Sequence, residues 1–204
     1  MRMNGSVNQL FAAAAAESQL ILSLFSGIGL LDMGFEQAGF TVVRGPDLLW
    51  GGDIRKFTPP AGVFIGVIGG PPCQDFSAAR RSEPTGYGLA MLQEFSRCVL
   101  AANPVWWLME NVARVPDWPI DGYSHQRIDV RASEFGLKQR RLRHIQFGHR
   151  DGKVLTALRG GTAVPPSDLQ PCALASEGSR PDRRSWPDFC ELQGLPRDFQ
   201  LPGF

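Results

Sequence analysis

The chain has 204 residues, a length that suits one core and most simply a single domain. Hydrophobic residues make up 43% and charged residues 20%, an ordinary globular composition that excludes a fibrous or disordered chain. The formal net charge is +1, so the whole molecule does not attract nucleic acid electrostatically, and any such binding must come from local basic patches.

In chain order, Leu10–Ala16 is apolar and alanine-rich. It is too short to span a membrane, lacks the basic start of a signal peptide, and predicts a short helix. Leu20–Phe25 predicts a buried strand, Ser26-Gly27-Ile28-Gly29 a turn, and Leu30, Leu31, Gly34, Phe35 and Ala38 a helix closed by Gly39. Thr41–Val43 predicts a second strand, Asp53-Ile54 the end of a short third, and Val63–Ile68 a fourth. Met91–Ala102 predicts a helix with Leu92, Phe95, Val99 and Leu100 on one face, followed by a strand over Val105–Met109. His125–Val130 and His144–Phe147 predict two more strands, and Trp186–Leu192 a short helix. Strands alternating with helices predict an α/β fold with a mostly parallel, doubly wound sheet. Residues 149–187 are rich in Gly, Pro, Ser and Arg without a sustained period. The expected organisation is a core over residues 1–148, a loop or reduced subdomain over 149–187, and a segment over 188–204 that returns to the core.

The chemistry-bearing residues fall at strand ends. Gly69-Gly70-Pro71-Pro72-Cys73 puts a cysteine on a stiff loop after the fourth predicted strand, with two prolines fixing its direction. Alone, Cys73 leaves a nucleophile and a buried structural thiol evenly matched. The glycine turn Phe25-Ser26-Gly27-Ile28-Gly29 suits a ligand that approaches backbone amides at a helix start. Asp47 follows the second strand, where a carboxylate can grip ribose hydroxyls. Asp53-Ile54 offers an acid and an apolar side chain to an adenine ring. Together they suggest an adenosine-containing cofactor, and no G-K-[ST] phosphate loop accompanies them. Glu110-Asn111-Val112 follows the fifth predicted strand, which neighbours the cysteine strand in such sheets, so Glu110 and Cys73 can face one site. In Gln139-Arg140-Arg141-Leu142-Arg143, alternation puts Arg141 and Arg143 on one side of an extended segment. The four cysteines, Cys73, Cys98, Cys172 and Cys190, are widely spaced with no C-x-x-C pair, which argues against a zinc site or disulfide framework and fits a reducing cytosol.

These motifs, in this order, resemble the DNA (cytosine-5) methyltransferases, over roughly residues 20–150 and the last twenty. Gly51-Gly52-Asp53-Ile54-Arg55 and Glu191-Leu192-Gln193-Gly194-Leu195-Pro196 resemble phage-encoded members in particular. The resemblance implies a Rossmann-like methyltransferase fold using S-adenosyl-L-methionine, no metal, and duplex DNA with a flipped cytosine as substrate, in the cytoplasm of a bacterial or phage-infected cell. It assigns Phe25, Ser26, Gly27, Gly29, Asp47, Asp53, Ile54 and Pro71 to the cofactor, and Cys73, Glu110, Arg143 and Arg141 to catalysis. Cys73 would attack C6 of the ring, Glu110 would hydrogen-bond N3, and Arg143 would hold the base and Glu110. Arg80 and Arg81 would contact the DNA backbone, and Arg150, Lys153, Arg159, Arg180, Arg183 and Arg184 could add phosphate contacts.

The chain also departs from the family pattern. A helix usual between Asp47 and Asp53 is missing, and the region after Arg143 that holds the family's target-recognition domain is minimal or absent. Loose specificity, or a dimer or partner protein completing the reading surface, is implied. The family's final motif does not follow Phe204. Residues 4–16 faintly resemble that motif in a permuted position, and an ordinary leading helix fits them equally. An RNA (tRNA) cytosine-5 methyltransferase and a trimmed, low-activity nucleic-acid-binding relative are the alternative readings.

Overall fold

The structure, a computed structural model, describes residues 19–77, 83–156, 164–172 and 184–200. The expected leading helix over Leu10–Ala16, the permuted motif over residues 4–16, and Arg80, Arg81, Arg159, Arg180 and Arg183 lie outside the described residues. The chain divides into two compact units, one of Met1–Ile128 with His144–Leu155, the other of Asp129–Arg143 with Thr156–Phe204.

The described elements run β1 (Leu20–Leu24), α1 (Leu30–Gln37), β2 (Thr41–Arg44), β3 (Gly66–Gly69), α2 (Tyr87–Ala102), β4 (Trp106–Asn111), β5 (Gln126–Arg131), β6 (Leu142–His149) and α3 (Trp186–Leu192). The strands form a six-stranded sheet in the order β2-β1-β3-β4-β6-β5. The β1–β2, β1–β3 and β3–β4 pairs are parallel, and β4–β6 is antiparallel. This is the mostly parallel α/β sheet that the alternating pattern predicts.

Two-residue periodicity divides the core between the sheet's faces. Leu22, Leu24, Val67, Trp107 and Met109 share one buried cluster with Met91, Leu92, Phe95, Cys98 and Val99 of α2. Their neighbours Ile21, Ile68, Leu108 and Phe147 form the other cluster, against Leu31 and Phe35 of α1. There the Phe35 ring stacks on Trp106, with ring centroids 5.9 Å apart. Helices on both faces are why the central strands read as unbroken apolar runs.

Two details differ from the sequence expectation. Leu100 is 52% exposed, while Met91, Cys98 and Ala102 are buried. At 100° per residue, Leu100 sits well off the line through Leu92 and Val99. No strand forms at Asp53-Ile54. Gly51 takes a left-handed conformation and Asp53 caps a single 3-10 turn, Ile54–Lys56, by accepting a hydrogen bond from the Arg55 amide.

Register aligns the strand ends. Leu24 pairs with Gly69, and Gly69 with Met109, so β1 and β3 finish at one level, while β4 continues two residues further, to Asn111, against β6. Gly69 is required at its position, because a Cβ there would lie 2.7 Å from the Leu24 carbonyl oxygen and 2.9 Å from the Phe95 ring.

In the second unit, α3 starts at Ser185, whose hydroxyl accepts the Asp188 amide. That hydroxyl, followed by the Arg197 guanidinium, holds the Asp188 carboxyl below its ordinary value. Gln139 is buried and donates to the Leu192 carbonyl at 2.6 Å, and it forms a bridge with Gln170.

Gly69→Ala should lower stability by about 1–3 kcal/mol, because the added methyl meets backbone rather than a yielding side chain. Urea denaturation checks this, and an unchanged midpoint would contradict the packing described.

Candidate active site

Loops leave β1 after Leu24, β3 after Gly69 and β4 after Asn111, all off the carboxyl edge where open α/β sheets place ligands. The first is the glycine turn. Phe25, Gly27 and Gly29 all have positive φ, at 54°, 54° and 81°. Phe25 is strained there, as non-glycine residues at functional turns often are. Beneath the turn, the buried Asp32 carboxylate accepts from Ser23 Oγ of β1 and from Arg44 Nε of β2, the latter at 2.9 Å. This network ties the first turn of α1 to two strands. It also puts the Arg44 guanidinium against Gly29, where a Cβ would sit 2.6 Å from its terminal nitrogen.

Asp47 stands beyond β2. One carboxylate oxygen accepts the Gly27 amide at 2.9 Å, and the other accepts the Leu49 amide at 2.7 Å. A carboxylate has about four acceptor positions, so both oxygens keep capacity for hydroxyl donors. Asp53 follows, and its two oxygens lie in the fork of Arg55 at 2.8–3.2 Å. This charge-assisted contact is the main reason the Asp53 carboxyl is held below its ordinary value. An adenine amine would therefore share Asp53 with Arg55.

These residues border a cleft of about 200 Å³. Phe25, Gly27, Asp47, Asp53 and Ile54 all line it, together with Leu48 and Pro72. Ser26 and Gly29 belong to the same turn but do not line the cleft, and neither does Pro71. Ser26 Oγ is buried with no hydrogen-bond partner among the described residues. Tyr87 and Met91 complete the apolar wall, which sequence reasoning missed. Their i, i+4 spacing after Gly86, at the start of α2, is the signal that would have found them. Apolar walls, two acids and a glycine turn fit the chemistry of an adenosine group.

The second loop carries Cys73, which is half-buried and a free thiol. It is anchored on both sides. Upstream, the buried Asn111 amide donates to the Pro71 carbonyl at 3.0 Å. Downstream, the Phe76 amide donates to the Cys73 carbonyl, and the Asp75 carboxylate accepts the Thr85 and Gly88 amides at 3.1 and 2.8 Å. Asp75 thereby caps α2, whose own N-cap, Gly86, has no side chain to do so. Asp75 and Asn111 are anchors that residue type alone does not reveal.

Glu110 is the penultimate residue of β4, paired with Ile145 of β6, and the third loop leaves after Asn111. Glu110 Oε2 lies 3.5 Å from where a Gly70 Cβ would be, so this carboxylate stands beside the opening of the cysteine loop. Arg141 and Arg143 belong to the second unit. There the Arg141 carbonyl accepts the Ala132 amide, and an Arg143 guanidinium nitrogen donates to the Leu142 carbonyl at 2.8 Å.

Fold and strand-end cleft together define a Rossmann-like α/β methyltransferase architecture. A crystal structure of a prophage-encoded E. coli protein, named as a DNA modification methyltransferase, shares this fold. It matches at a TM-score of 0.52 and 23% identity, over 65% of this chain and 47% of that one. Residues 51–117, which include Asp53, Cys73 and Glu110, match the family of C-5 cytosine-specific DNA methylases. The Type II methyltransferase M.HgiDI of Herpetosiphon aurantiacus is 36% identical over 165 residues, 65% of this chain and 53% of that protein. M.HgiGI of the same organism is 38% identical over 115 residues, 46% of this chain and 90% of that protein. M.AquIA of Picosynechococcus is 30% identical, over 66% of this chain and 73% of that protein. The chain belongs to the C-5 cytosine-specific DNA methylase family. It spans about half the length of M.HgiDI (53%).

The cysteines differ in chemistry. Cys98 is fully buried on α2, and burial pushes its thiol up to about 11. A raised thiol favours the protonated fold, so its contribution to stability is present below the ordinary thiol value and is lost as pH rises towards about 11. At pH 9 Cys98 should be only about one part in a hundred thiolate. Iodoacetamide mapping at that pH should label Cys73 well before Cys98, and equal rates in the folded protein would contradict the burial described.

Proposed function

We propose that this protein transfers a methyl group from S-adenosyl-L-methionine to C5 of cytosine in DNA. The observation that carries the reading is the convergence, on one sheet edge, of an adenosine-shaped cleft, an anchored cysteine and a glutamate beside the cysteine loop.

In the first step a target cytosine leaves the duplex, since its ring cannot be reached within the stack. The Cys73 thiolate adds to C6, forming a C–S bond and moving electron density towards C5 and N3. Glu110, carrying a proton, hydrogen-bonds N3 and stabilises that charge. Arg143 orients the flipped base, and Arg141 holds a phosphate. When bound, the cofactor supplies an electrophilic methyl group for the nucleophilic C5. Removal of the C5 proton by a base then restores the double bond and expels Cys73 as thiolate.

On the cofactor side, Asp47 takes the ribose hydroxyls, Asp53 the adenine amine, and Ile54 the ring face. Phe25, Ser26, Gly27 and Gly29 shape the turn, and Pro71 borders the reacting end. The acceptor is duplex DNA, and a dimer or partner protein extends the contact surface.

Labelled methyl transfer to mixed-sequence duplex DNA, with tRNA in parallel, tests the reading. Label should appear at C5 of DNA cytosine, and Cys73→Ser should reduce it on the order of a thousandfold or more. Label confined to tRNA, or undiminished in the variant, would overturn the proposal.

A further inference from the structure

The glycine turn poses a mechanical problem. Gly27 is the residue type with the greatest backbone freedom, and it sits at φ 54°. No atom lies within 4 Å of the position a Cβ would take, so packing does not hold it from that side. Its conformation depends on the two peptide planes that flank it, and both are fixed from outside the turn. The Gly27 amide, in the preceding plane, donates to Asp47 Oδ2 at 2.9 Å. The Gly27 carbonyl, in the following plane, accepts the Trp50 indole N–H at 2.9 Å. Peptide planes are rigid, so fixing both sets φ and ψ of Gly27 together.

The two anchors are themselves joined. The Trp50 amide donates to the Asp47 carbonyl at 3.0 Å, the Gly52 amide to the same carbonyl at 2.9 Å, and the Leu49 amide to Asp47 Oδ1 at 2.7 Å. The hydrogen bonds form a closed ring from Gly27 to Asp47, from Asp47 to Trp50, and from Trp50 back to Gly27. Its members Gly27 and Asp47 line the cleft. Trp50 does not line it and is 48% exposed, an expense that core packing does not explain.

We infer that Trp50 is a positioning residue of the cofactor site: its indole N–H locks the Gly27 carbonyl and so holds the glycine turn in its binding shape. The inference rests on the proposed function, since it takes the cleft as the cofactor's. Trp50 sits on the short turn between Asp47 and Asp53, and one side-chain hydrogen bond there does the work of a longer bracing element.

Trp50→Phe and Trp50→Ala separate the N–H from the ring. Calorimetric titration with S-adenosyl-L-methionine should show both variants binding about three- to tenfold more weakly than the unaltered chain. KM for the cofactor should rise by the same factor with kcat unchanged. In the cofactor-free protein, hydrogen exchange at the Gly27 amide should quicken in both variants, with the thermal midpoint held within a few degrees. Unaltered affinity in Trp50→Phe, with loss only in Trp50→Ala, would assign the effect to the ring and overturn the inference. So would unchanged exchange at Gly27. Failure of the unaltered chain to bind the cofactor would overturn the proposed function along with it, whereas normal binding there and in Trp50→Phe sinks this inference alone.

Discussion

The site depends on the parallel register of three strands. Leu24, Gly69 and Met109 stand side by side, so β1 and β3 leave the sheet at one level and β4 carries Glu110 and Asn111 just beyond it on the same edge. A one-residue slip of β3 would reverse which face Val67 and Ile68 bury and would carry the cysteine loop away from the turn and from Glu110. The slip is prevented by bulk on both sides, since each face has its own apolar cluster and the two do not interchange. Gly69 is where that packing is tightest, with a backbone oxygen and an aromatic ring closing over its Cα. The placement of the cysteine loop is a consequence of core packing at Gly69.

From that edge, the loops are held by polar side chains reaching across from neighbouring segments. Asn111 holds Pro71, Asp75 holds the start of α2, Asp47 holds Gly27, and Asp32 joins β1, α1 and β2. Each of these groups satisfies backbone or side-chain partners that the end of a strand or helix leaves open. The arrangement keeps the acids and the thiol on supported loops, which suits a reaction that needs a nucleophile and a proton-bearing group in fixed relation.

Much of this was legible in the sequence because it rests on local signals. The apolar runs at Leu20–Phe25 and Val105–Met109, the glycine turn and the Pro-Pro-Cys loop each announce themselves within a few residues. Other features depend on what a segment meets in space. Asp53-Ile54 reads as a strand end in the sequence, because its capping role shows only with Arg55 folded back onto it. Leu100 shares an apolar pattern with Leu92 and Val99, but the helix turns it outward while Met91 and Cys98 turn in. Tyr87 and Met91 offer only an i, i+4 spacing at the start of α2, and that they line the cleft depends on where α2 packs. Asp75 and Trp50 are unremarkable as residue types, and their anchoring follows from partners ten and twenty-three positions away.

The most direct test is covalent trapping on duplex DNA carrying 5-fluorocytosine, in the presence of S-adenosyl-L-methionine. Fluorine at C5 cannot depart as a proton does, so once attack at C6 is followed by methyl transfer to C5, elimination is blocked and the protein stays attached. The account expects a stable adduct that mass mapping assigns to the peptide containing Cys73 and that Cys73→Ser does not form. An adduct at Cys98, Cys172 or Cys190, or no adduct from a chain that binds both DNA and cofactor, would contradict it.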